Sequence, residues 1–134
     1  MNGSTSKRIH FLNSNVDNLS MEETISRVEE IIHRRKPTQH VVINANKLNL
    51  MQKDVALRTI VNNSTLINAD GASVLLAGKI LGKPLVERVT GIDLFLELLE
   101  KCEKKDYRPY FFGATQEVIE EVVNFIRKKY PNID

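Results

Sequence analysis

The chain has 134 residues, 42% hydrophobic and 27% charged, a balance that suits one globular domain with a core and excludes wholesale disorder. The formal net charge of +2 is too mild for a nucleic-acid partner, and no basic stripe interleaved with aromatics appears. A lone cysteine, Cys102, excludes an intrachain disulfide or a cysteine zinc site, and His10, His33 and His40 lack metal-ligand spacing.

No stretch reaches the roughly 20 apolar residues of a membrane-spanning helix. The N-terminus is polar, without a secretory signal, so a reducing cytoplasm is the expected compartment.

In chain order, residues 1–8 are polar and expected to be mobile, with one folded domain over 9–134. Residues 9–11 read as a short strand. Residues 13–18 are turn-rich, with Val16 as an apolar anchor. Ser20-Met21-Glu22-Glu23 has the pattern of a capping box. The helix behind it sets Met21, Ile25, Val28, Ile31 and Ile32 on one face and ends before Pro37.

His40-Val41-Val42-Ile43 is apolar in succession, as in a parallel strand buried on both faces. It runs into Asn44-Ala45-Asn46. Mixed helical spacing follows to Val61, with Asp54 placed to cap a second short helix. Residues 65–68 give the next strand, Asp70-Gly71 the turn, and 72–81 a helix that Gly82-Lys83-Pro84 closes.

Thr90-Gly91-Ile92-Asp93 has capping-box spacing with aspartate in place of glutamate. The helix it opens, beginning near Asp93, carries Leu94, Phe95, Leu98, Leu99 and Cys102, the last read as a small buried hydrophobe. Residues 109–112 read as a strand, and Gly113-Ala114-Thr115 as its closing turn. Thr115 caps a last helix that buries Val118, Val122, Phe125 and Ile126. The basic runs 33–36 and 127–129 fall where helices end, where cations offset the macrodipole.

Strands alternating with helices predict an α/β fold, a Rossmann-like three-layer domain with a largely parallel sheet. A helix ending in Tyr130-Pro131-Asn132 ordinarily feeds a further strand, so the C-terminal part of the fold is expected to be missing. An uncovered sheet edge or apolar face would seek cover in a homo-oligomer.

The chemistry collects at strand ends, where open α/β sheets bind ligands. Asp70 has two readings that do not exclude each other. It is a helix N-cap with glycine behind it, or a general base at the mouth of the sheet. Asn44 and Asn46 alternate at the end of a strand and so point the same way. They form a turn or grip hydroxyls of a sugar or nucleotide, and Asn68 is ambiguous in the same manner. Arg88 is a solvated surface cation or a fork for a diphosphate. Gly91 and the following helix amides suit a phosphate. Asp93 reads as a cap, and Gly113-Ala114-Thr115 as a junction able to approach a phosphate or base. No GxGxxG, Walker sequence or Ser-His-Asp set is present.

Several stretches, in their order and spacing, resemble the WecG/TagA/CpsF glycosyltransferase family. They are Val16-Asp17-Asn18-Leu19-Ser20-Met21-Glu22-Glu23, Asn44-Ala45-Asn46, Asn68-Ala69-Asp70-Gly71, Glu87-Arg88-Val89-Thr90-Gly91-Ile92-Asp93-Leu94, Phe111-Phe112-Gly113-Ala114 and Tyr130-Pro131-Asn132.

The resemblance implies a bacterial, metal-independent, inverting enzyme that needs no cofactor. Such an enzyme moves N-acetylmannosamine or a related hexose from a UDP-sugar to a polyprenyl-diphosphate-linked sugar. The reaction builds teichoic acid or cell-surface polysaccharide, at the inner face of the cell membrane. The resemblance makes Asp70 the base, sets Arg88 in the same pocket and matches a Thr-x-Asn pair to Asn44 and Asn46; Gly71, Gly91, Asp93 and Gly113 complete the expected substrate-binding set. Asparagine at 44 stands where the family carries threonine. A glutamine-bearing motif and a C-terminal appendage of the family are absent from this sequence, so the alternative is a nucleotide-sugar-binding fragment without turnover of its own.

Overall fold

The first ordered feature is a β-hairpin in this computed structural model, which describes residues 7–133. Strand β1 (Arg8–Phe11) pairs antiparallel with β2 (Ser14–Asp17), Arg8 opposite Asp17. Leu12 and Asn13 make the two-residue turn, with φ of 51° and 59°, the left-handed geometry that matches strand twist. The turn-rich reading of 13–18 is therefore corrected. Ser14 and Val16 are buried while Asn15 and Asp17 keep partial exposure, a strand alternation disguised by short polar side chains.

The expectation of a mobile N-terminus is corrected at Arg8; residues 1–6 lie outside the described residues. Arg8 forks onto Asp17 at 2.8 and 2.7 Å and also donates to the carbonyls of Ser64 and Thr65. Two parallel charge-assisted bonds hold a side chain that composition alone assigns to solvent.

Helix α1 (Met21–Arg34) opens on the expected capping box of Ser20 and Glu23 and closes at Arg35, in the left-handed region. Strand β3 (His40–Ile43) then pairs in parallel with β4 (Leu66–Ala69), Ile43 opposite Ala69. Between them run α2 (Ala45–Lys53) and α3 (Val55–Asn62), divided at Asp54, whose carboxylate caps α3 through the Leu57 amide. Helix α4 (Ala72–Ile80) follows β4. The arrangement is α/β with one parallel and one antiparallel pair among the described residues, consistent with a Rossmann-like fold.

The main core lies on one face of the parallel pair. Ile43, Ile67 and Ala69 meet Phe11 and Val16 of the hairpin, Met51 of α2 and Val74 of α4. On the other face Asn68, fully buried, donates to Thr24 Oγ1 of α1 at 2.9 Å. Strand β3 is less buried than its apolar run predicts, for Val41 and Val42 are half-buried. It is an edge strand, and Lys47 Nζ of α2 donates to the Val42 carbonyl at 2.8 Å. The outer edge of β4 is also occupied: Asp17 Oδ2 accepts from the Ile67 amide at 2.8 Å, and the Val89 amide donates to the Ala69 carbonyl at 3.1 Å.

The chain divides into two compact units at Gly91. In the second, α5 (Gly91–Lys105) and α6 (Gln116–Lys129) carry a small core of Leu99, Ile126 and Tyr130, with Phe111 and Val122 packed against it. Thr115 caps α6 as expected.

The strand expected at 109–112 does not form. Phe111 turns inward, while Tyr110 and Phe112 are 88% and 94% exposed. The in–out alternation is present, but among the described residues no backbone pairs with it, and a strand is defined by its partner. Val122 and Ile126 pack inward as expected, joined by Ile119 and Val123, while Val118 and Phe125 are exposed rather than buried. Cys102 is half-buried, and burial pushes its thiol pKa up, which keeps it a protonated, unreactive group.

Candidate functional site

The ladder of β3 and β4 continues one step beyond both strands, because the Asp70 amide donates to the Ile43 carbonyl at 2.8 Å. The register that sets Ile43 beside Ala69 therefore sets Asn44 beside Asp70 at the carboxyl end of the pair. The next residue, Gly71, has φ 100° and ψ 136° and is itself the N-cap of α4, with no side-chain cap bond. That conformation is open to glycine and hostile to other residues.

The capping alternative for Asp70 is thereby removed. Among the described residues no group pairs with its carboxylate, which is half-exposed at the strand mouth.

Asn44 does cap: its Oδ1 accepts from the Lys47 amide at 2.9 Å. The cap turns the backbone into α2 at Ala45, so Asn46 lies in the first helical turn and not on an extension of β3. The expectation that the two amides point the same way rested on strand alternation and is corrected. Both remain exposed near the end of β3.

Arg88 is exposed, and its neighbours in sequence are firmly held. Asn18 bridges the preceding loop, donating to the Pro84 carbonyl at 3.1 Å and accepting from the Val86 amide at 2.7 Å. Glu87 accepts from the Met21 amide at 2.8 Å, which satisfies a free donor at the N-terminus of α1. Val89 docks on the end of β4. Arg88 thus stands between two anchored residues, on the segment that runs beside Asp70.

Gly91 closes the group. A Cβ there would lie 4.0 Å from Val42 Cγ2, ordinary contact that places Gly91 against β3. Asn44, Asp70, Gly71, Gly91 and the Arg88 segment are brought to one end of the parallel pair. Asp93 and Gly113 belong to the second unit. Asp93 sits in the first turn of α5, and Gly113, at φ 124°, has open space where a Cβ would project.

Asn18 and Glu87 have no functional role in the sequence reading. Their partners lie 66 to 68 positions away, so no periodicity could signal them. A buried polar chain stands behind the site on the α1 face. His40 Nε2 lies 2.9 Å from Asn68 Oδ1, and with the Asn68 amide given to Thr24 the imidazole N–H donates. Burial lowers the His40 pKa below 6.5, against the opposing pull of Asn68 and the charge of Asp17 and with the added push of Lys47. Among the described residues no cluster of three His, Cys, Asp or Glu side chains could hold a metal ion.

The sequence profile of the Glycosyl transferase WecG/TagA/CpsF family matches residues 9–134. The chain belongs to the WecG/TagA/CpsF family. It is similar to an N-acetylglucosaminyldiphosphoundecaprenol N-acetyl-beta-D-mannosaminyltransferase of Bacillus spizizenii. The two are 36% identical over 75 residues, 56% of this chain and 29% of the relative. A Staphylococcus aureus protein of the same name is 26% identical over 132 residues, 97% of this chain and 52% of the relative. The chain spans about half the length, or less, of these curated relatives.

For this WecG/TagA/CpsF chain the site geometry gathers the Asn44, Asp70 and Arg88 motifs at one strand end. Among the described residues no helix is long and apolar enough to cross a membrane.

Proposed function

We propose that the chain acts in an inverting glycosyl transfer. A hexose, N-acetylmannosamine in the first instance, passes from a UDP-sugar to a sugar carried on a polyprenyl diphosphate. The names of the relatives support the donor and acceptor classes. The observation that carries the reading is Asp70, an uncapped carboxylate at the carboxyl end of parallel strands.

In this reaction Asp70 takes the proton of the acceptor hydroxyl. The oxygen attacks the anomeric carbon from the face opposite UDP, and the bond from that carbon to the diphosphate oxygen breaks. Arg88, with amides at the start of α4, steadies the departing charge. Asn44 and Asn46 hold hydroxyls of the sugar or nucleotide. The work takes place at the inner face of the cell membrane, with the protein bound peripherally.

Asp70→Asn keeps the shape and removes the base, so transfer falls by about a hundredfold or more, while UDP binding and melting temperature stay near wild type. Turnover by that variant at the wild-type rate would sink the role of Asp70. UDP binding without product from the wild-type chain would reduce the function to nucleotide-sugar binding.

A further inference from the structure

Lys47 has no part in the sequence reading, and its place is unusual. It is the only charged residue from Asn44 to Gln52 and lies in the first turn of α2, which carries no acid. A cation there opposes the helix macrodipole, so the helix gains nothing from it. Its amide donates to Asn44 Oδ1, and its half-buried side chain turns back so that Nζ donates to the Val42 carbonyl. Among the described residues no carboxylate pairs with it.

The Val42 carbonyl fixes the edge on which the ammonium stands. The Ile43 carbonyl accepts from the Asp70 amide and so faces β4. Carbonyls alternate along a strand, and that of Val42 faces the outer edge of β3. The ammonium is held there, about 7 Å short of the strand mouth. Arg88 is at the opposite edge of the pair, next to Val89, whose amide donates to the outward carbonyl of Ala69. Asn44 and Asp70 lie between the two cations.

We propose that Lys47 binds the diphosphate of the acceptor. The proposal rests on the transfer reaction given above, in which two diphosphates approach one anomeric carbon. Inversion brings the attacking hydroxyl from the side opposite the departing UDP. With Arg88 steadying UDP at the β4 edge, the acceptor enters over the β3 edge, and its diphosphate meets Lys47. A neutral carbonyl holds the ammonium at rest, and an anionic oxygen is the stronger acceptor. The flexible four-carbon stem lets the ammonium swing up to the strand mouth.

Calorimetry on the full chain compares two ligands, UDP and a short-chain prenyl N-acetylglucosaminyl diphosphate. Lys47→Gln weakens binding of the acceptor analogue roughly tenfold or more and leaves UDP affinity near wild type. Lys47→Arg restores most of the loss. Arg88→Gln shows the reverse preference, weakening UDP and sparing the analogue. In transfer assays Lys47→Gln raises the KM of the analogue and not that of the UDP-sugar.

No binding of the analogue by the wild-type chain, or an unchanged affinity in Lys47→Gln, overturns the proposal. So does an equal loss for both ligands, which would make Lys47 a guard of the open β3 edge. A loss confined to UDP overturns it too, by setting Lys47 on the nucleotide. Transfer by the wild-type chain with the acceptor KM unmoved in Lys47→Gln keeps the reaction and removes Lys47 from it. Analogue binding that depends on Lys47, without product from UDP-N-acetylmannosamine, keeps the diphosphate site and removes the transfer reaction.

Discussion

Asp70 owes its availability to Gly71. Because the glycine takes the cap position of α4 in a left-handed conformation, the carboxylate before it is not spent on helix amides. Glu87 is the opposite case, an acid beside a candidate binding residue that is fully used in structure. Glu87→Ala leaves the Met21 amide without its acceptor and costs about 1 kcal/mol. It also loosens the segment that carries Arg88. Glu87→Gln keeps an acceptor oxygen and stays near wild type in both respects. Urea titration and UDP calorimetry on the two variants check this, and equal behaviour of alanine and glutamine would refute the anchoring role. Both residues stand in motifs visible in the sequence, but their division of labour was not legible there. It depends on which backbone amides come within reach.

At the scale of elements, helix limits were the most legible feature. Ser20, Asp54 and Thr115 cap α1, α3 and α6 as their sequence contexts predict, because a cap is decided within four residues. Strands were less legible. Residues 14–17 pair although they read as a turn, and residues 109–112 alternate without pairing, since pairing needs a partner distant in sequence.

The join between α4 and its following turn is likewise tertiary. A Cβ at Gly78 would stand 2.7 Å from the Lys83 carbonyl oxygen, a clash with backbone. Gly78→Ala therefore forces the turn outward at a cost of about 1–3 kcal/mol, seen as a lower melting temperature. An alanine variant as stable as wild type would show that the turn moves freely.

At the scale of the molecule, the His40–Asn68–Thr24 chain couples stability to pH. The folded His40 has a lowered pKa, so below about pH 6.5 the unfolded chain binds a proton that the folded chain resists. This contribution is complete above the unfolded pKa and is lost as pH falls toward the folded one. Denaturant titrations at about pH 7.5 and about pH 5.5 should show lower stability in acid, and His40→Gln should flatten that difference. An unchanged slope in the variant would assign the effect elsewhere.

The sequence by itself determined the α/β class, the family, the caps of α1, α3 and α6 and the identity of the candidate site residues. These rest on local patterning and on motif order, both carried along the chain. Only the tertiary structure decided that Asp70 is uncapped, that Asn46 leaves the strand for α2, and that Asn18 and Glu87 hold the Arg88 segment. Those outcomes turn on hydrogen bonds between groups far apart in sequence, on left-handed backbone at Gly71, and on which strand edges find partners.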